Sequence, residues 1–107
     1  MYKESRSHEW TREELVLDVT WDAILEDYEG AIYHGAEMIH VSVYDEHGIV
    51  HSLDEHLLDS NHFLYSGIMS LIENYECNSE IDWKEIDNLR LINKFVNESY
   101  NPKNIQL

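Results

Sequence analysis

The period of the apolar positions changes twice along this chain. From Arg12 to Glu29, Leu17, Trp21, Ile24 and Tyr28 recur at steps that place them on one arc of a helix. The spacing predicts a first helix over 12–29, opened by a Thr11–Glu14 capping box and closed near Gly30. The β-branched run from Leu15 to Thr20 argues for a break inside it. The unbroken apolar face from Leu17 to Tyr28 argues for a single helix, and that is the expectation carried forward.

Between Ala31 and Leu53 the period falls to two. Ile39, Val41 and Val43 alternate with Met38, His40, Ser42 and Tyr44, which predicts a strand with one buried face. Asp45-Glu46-His47-Gly48 has turn chemistry, and Ile49 to Leu53 reads as the return strand. Ala31 to His34 fits either a third strand or an extension of the first helix.

The helical period then resumes. Leu64, Ile68, Leu71, Ile72 and Tyr75 predict a helix capped by Asp59 or Ser60 and running through Glu76, with Ser66, Gly67 and Ser70 leaving one side slim. A last helix is predicted from a cap at Asn78 or Ser79, with Asp82 and Glu85 early in it. Its core stripe is Ile86, Leu89, Ile92, Val96 and Tyr100, outside which fall Arg90 and Lys94, and Asn101-Pro102 ends it. The first nine residues and Lys103 to Leu107 carry no periodic signal and read as short mobile termini.

The expected fold is α+β, with a small antiparallel hairpin or three-stranded sheet packed with about three α-helices as one domain over 1–107.

Charge changes the picture more than composition does. The 107 residues hold 22 acids and 7 bases, a formal charge of −15, and twelve aromatics that support an ordered core. Arg12 and Lys84 bracket 71 residues with 17 carboxylates and no Lys or Arg. Within that span Glu14, Asp18, Asp22 and Glu26 step by four, followed by Glu29. On a helix these acids share an arc at about 6 Å per step, and each like-charge pair costs a few tenths of a kcal/mol. Such a ladder is expected to face a partner, with the hairpin acids Asp45, Glu46, Asp54 and Glu55 as the other candidate contact.

The sign of the surface argues against direct nucleic-acid binding, which needs bases to displace counterions, and against an anionic membrane. It favours a basic protein, above all a nucleic-acid-binding enzyme or complex. No apolar leader or membrane-length run is present, so a cytoplasmic protein is expected.

Positioned chemistry is scarce. Cys77 is a lone thiol, expected at a helix end as a small, partly buried hydrophobe. His47, His51, His56 and His62 lie among Asp45, Asp54 and Asp59, but match no compact ligand spacing, so neither metal nor cofactor is expected. No nucleophile elbow, P-loop or dinucleotide fingerprint occurs, and no enzyme is expected. Trp21 and Tyr28 read as core, while Trp10 and Trp83 fit helix staples and interface anchors equally.

In charge, size and absence of chemistry the chain resembles the DNA-mimic inhibitors carried by phages and mobile elements, with no shared motif. That resemblance implies anti-restriction or anti-CRISPR action by occupation of a basic groove. An immunity protein or antitoxin against a basic nuclease is the alternative, and a metal-dependent enzyme built on the histidines is the third reading.

Overall fold

A strict alternation decides the architecture. Leu15, Leu17, Val19, Trp21, Ala23 and Leu25 are all buried, while each residue between them is partly or fully exposed. In the computed structural model this stretch is a strand, β2 (Leu15–Asp27), not the helix expected over 12–29. A helix would turn half of these six side chains toward water, whereas a strand buries every one. The Val and Thr residues that argued for a break are the ones a pleated surface favours. The structure describes residues 1–27, 29–44, 47–48, 50–53 and 62–100, with side chains as far as residue 94.

The first residues are likewise ordered as a strand, β1 (Tyr2–Arg12), rather than as a mobile arm. Thr11 lies within β1, so the capping box does not form. Glu13, at φ 55°, turns the chain into β2. β1 pairs antiparallel with β2 along its whole length, from Tyr2 opposite Leu25 to Arg12 opposite Leu15. The turn after β2 uses Glu29 and Gly30, at φ 56° and 119°, where the chain needs left-handed backbone. Strand β3 (Ala31–Tyr44) follows, which settles Ala31 to His34 as strand. The short β4 (Val50–Leu53) pairs with the end of β3, as the hairpin pattern predicted. The sheet is a four-stranded meander in the order β1-β2-β3-β4.

Strand β3 is longer than its pairing with β2 needs, and two register shifts absorb the difference. One follows Thr20, beside Met38 at φ 53°; the other follows Ile24, beside His34. Each bulge resets parity. As a result Tyr33 and Ala36 pack against the core from one end of β3, and Ile39, Val41 and Val43 do so from the other.

Two helices complete the described fold. The first, α1 (His62–Glu76), buries Leu64, Ile68, Leu71 and Ile72. The caps expected at Asp59 or Ser60 lie outside the described residues. Asn78, at φ 59°, ends α1 in a Schellman arrangement: Ser79 N donates to Asn74 O (2.8 Å) and Asn78 N to Tyr75 O (3.3 Å). Asp82, rather than Asn78 or Ser79, caps the second helix, α2 (Trp83–Tyr100), its Oδ1 accepting from Lys84 N at 2.9 Å. Gly67 of α1 brings the helices together, since a Cβ there would meet the Leu89 side chain at 3.0 Å. Ile86 and Leu89 are buried as the stripe predicted, joined by Asn93. Val96 and Tyr100 have side chains outside the described set.

Both helices lie on the face of the sheet that carries Leu17, Val19, Trp21 and Leu25, in one apolar core with them. The other face has no helix against it among the described residues. The class is therefore α+β as expected, with a larger sheet and two helices among the described residues. No described helix is long and apolar enough to cross a membrane.

Candidate protein-binding face

The even-numbered residues of β2, none of them buried, define the open face: Val16, Asp18, Thr20, Asp22, Ile24 and Glu26. Three of the five ladder acids, Asp18, Asp22 and Glu26, therefore share one side of one strand. Their pitch is not that of a helix. At roughly 3.3 Å per residue, successive acids along β2 stand about 13 Å apart. Glu14 and Glu29 are exposed in the turns at the two ends of β2, off the row itself. Of the hairpin acids, Asp45, Glu46, Asp54 and Glu55 lie outside the described residues.

Pairing adds two acids that the sequence reading missed. Glu9 of β1 stands opposite Asp18, and Glu37 of β3 stands opposite Asp22. Each pair is a cross-strand neighbour at about 5 Å between Cβ atoms, a spacing at which like charges destabilise. The face thus holds two transverse rungs of carboxylates, Glu9–Asp18 and Asp22–Glu37, with Glu26 beyond them. Between and beside the rungs stand Ser5, Ser7, Thr11, Thr20 and Ser42, with His40 opposite Thr20 and Lys3 opposite Ile24. A signal for Glu9 existed in β1, whose odd positions are all polar, but it is meaningful only once β1 is known to be a strand.

Side chains of the same face engage several of these acids. Ser5 Oγ donates to Asp22 Oδ1 at 3.2 Å, and Thr11 Oγ1 to Glu9 Oε1 at 3.5 Å. His34 Nε2 lies 2.8 Å from Glu26 Oε2. Lys3 is the one base of β1 with this parity; it pairs with Glu37, which raises the ammonium pKa through the hydrogen bond and the carboxylate charge. Arg6 and Arg12 point to the other side. Arg12 Nη1 bonds Asp87 Oδ2 (2.8 Å) and Trp83 O (3.1 Å), and its guanidinium lies 5.3 Å from the Trp83 ring. That clamp ties β1 to the first turn of α2 and gives Trp83 an anchoring role.

Beneath the sheet lies a second polar cluster. Glu76, with a side chain only 7% exposed, accepts from Trp21 Nε1 at 2.9 Å and pairs with Arg6 Nε at 3.4 Å. His8, Trp10, Trp21 and Tyr75 pack ring against ring beside it, and Trp10 is buried as core. Burial pushes the Tyr33 hydroxyl up to about 12, with the charges of Glu76 and Glu73 adding to the shift. Its oxygen is buried with no hydrogen-bond partner among the described residues. Cys77 is exposed rather than partly buried, because the chain has already left α1 when it reaches the thiol.

Among the described residues no three His, Cys, Asp or Glu side chains converge in a way that could hold a metal ion. His47, His51 and His62 fall on the β3–β4 turn, on β4 and at the start of α1, and His56 lies outside the described set. Compared with protein-family models, with curated proteins and with solved structures, the chain finds no match in any of the three.

Proposed function

We propose that this protein is an acidic stoichiometric inhibitor whose open sheet face occupies a basic, nucleic-acid-binding groove on a partner protein. The observation that carries the reading is the two carboxylate rungs on a face that no described helix covers. The rungs lie about 13 Å apart along β2, comparable with the roughly 12 Å width of a DNA major groove. Within a rung the two acids stand about as far apart as near neighbours on a phosphate strand, given flexible side chains. Repulsion inside the Glu9–Asp18 rung costs folding free energy, while Lys3, paired with Glu37 and near Asp22, offsets it in the other rung. The overall charge of −15 extends the attraction beyond contact distance and raises association rates with a basic surface.

A nucleic-acid-binding enzyme or complex of a defence system, of restriction or CRISPR type, is the partner class this mimicry fits. The test is capture from host lysate on the immobilised protein at low salt, followed by displacement with duplex DNA. A captured nucleic-acid-binding protein that duplex DNA releases supports the reading. Recovery of a toxin nuclease would assign an immunity role instead. Direct binding of duplex by this chain at about 0.15 M salt, where the Debye length is roughly 8 Å, would refute the charge argument.

A further inference from the structure

On the opposite side of the molecule, α1 and α2 leave a groove between them. It has a volume of about 510 Å³ and is lined by Phe63 and Gly67 of α1 with Glu85, Leu89, Leu91 and Ile92 of α2. Two of its walls are unusual for a helix surface in so acidic a chain: Phe63 is 77% exposed and Leu91 66%. Glu85, between them and the Ser70 side, has one carboxylate oxygen buried with no hydrogen-bond partner among the described residues. Burial raises its pKa, the Asp82 charge adds to this, and a hydrogen bond with Ser70 opposes it. No basic side chain is among the groups that act on it.

We propose that this groove is a second docking site, which takes an amphipathic helical segment of a partner protein carrying a Lys or Arg beside its apolar stripe. Two antiparallel helices with a slim line at Gly67 offer the trough that a third helix fills, with apolar anchors at i, i+4 and i+7. Phe63 and Leu91 supply the contact surface. Glu85 selects the sign, because a cation brought against a carboxylate with one oxygen already buried gains more than it would at a fully open one. An anionic or purely apolar helix leaves that carboxylate uncompensated. The site is independent of the open sheet face, and a protein that used both would be gripped from two sides.

The experiment uses the full chain and a fluorescein-labelled synthetic peptide of about four helical turns, with Leu at i, i+4, i+7 and i+11 and a flanking Lys. A Lys→Glu version and a scrambled version without the stripe are measured beside it by anisotropy. The Lys peptide is expected to bind, with Leu91→Glu weakening it by roughly tenfold or more, as truncation of an interface anchor does. Glu85→Gln is expected to leave the fold intact by circular dichroism and to shrink the preference for Lys over Glu several-fold. Asp18→Lys with Asp22→Lys, on the other face, is expected to leave this affinity within about twofold. Equal binding of the scrambled peptide, indifference to Leu91→Glu, or an equal loss with the open-face variant would overturn the proposal. So would a dimer in sedimentation equilibrium that Leu91→Glu dissolves, since a second copy would then be the occupant. None of these outcomes bears on capture through the open face, so the two readings fail separately.

Discussion

The two faces of the β2 strand differ in everything except the backbone that carries them. One holds Leu17, Val19, Trp21 and Leu25 against two helices, where Glu76 takes both the Trp21 N–H and the Arg6 guanidinium while the Tyr33 hydroxyl finds no described partner. The other holds Asp18, Asp22 and Glu26 among hydroxyl side chains and His40, with Glu9 opposite Asp18 and Glu37, paired with Lys3, opposite Asp22. A single step along the chain separates a residue on which folding depends from one whose cost the fold merely tolerates. The burden of the acids is small, at a few tenths of a kcal/mol per exposed pair, whereas each large buried side chain contributes several. The open face is therefore free to be shaped by a partner without endangering the core.

That contrast can be broken first at its strongest point. Trp21→Ala empties a site at the centre of the core and leaves the Glu76 carboxylate with Arg6 alone; a loss of about 3–5 kcal/mol is expected in urea unfolding. A loss below about 1 kcal/mol would mean that the covered face is not the core. Next comes the buried polar group. Glu76→Leu leaves the Trp21 N–H without its acceptor and Arg6 with Glu4 alone, and is expected to cost roughly 1–3 kcal/mol, while Glu76→Gln, which keeps an acceptor, costs less. Equal losses would show that packing, not the hydrogen bond, is what Glu76 contributes.

Tyr33→Phe removes a buried hydroxyl without a described partner, and is expected to leave stability at neutral pH unchanged or raised by under about 1 kcal/mol. Its pH signature is sharper. The folded state holds the Tyr33 proton up to about 12, above the ordinary value of 10.0, so the folded state binds more protons in that window. Stability should therefore fall as pH rises from 10 toward 12, and Tyr33→Phe should flatten part of that fall. The smallest expected effect lies on the open face. Asp18→Lys with Asp22→Lys relieves repulsion from Glu9 but brings a cation beside Lys3, which already pairs with Glu37, and should change stability by no more than about 0.5 kcal/mol in either direction.

The same faces explain what could be read in advance. The helices α1 and α2 and the β3–β4 hairpin were legible because their periods are clean: Leu64, Ile68, Leu71 and Ile72 fit no strand, and Ile39, Val41 and Val43 fit no helix. β2 was misread because a step of four lies close to one helical turn and is also two strand repeats. Leu17 and Trp21 share a face in either structure, and so do Asp18, Asp22 and Glu26. The acids were thus grouped correctly on the wrong element. Ile24, Leu15 and Val19 discriminate: a helix would bury Ile24 beside Leu17 and turn Leu15 and Val19 away, whereas β2 does the reverse. β1 gave no warning because its inward positions include Glu4, Arg6, His8 and Arg12, which are held by ion pairs and rings instead of apolar contact. The acids at Glu9 and Glu37 needed the register, which no local pattern supplies.

The measurement closest to the central claim is the association rate with the captured partner, by stopped flow, over a series of salt concentrations. For the unmodified protein the rate should fall steeply as salt rises, because the carboxylate rungs steer the encounter. Asp18→Lys with Asp22→Lys, shown to be folded, should associate more than about tenfold more slowly at low salt and lose most of the salt dependence. If that variant associates at the parent rate with the parent salt slope, the open face is a solvated surface and not the site.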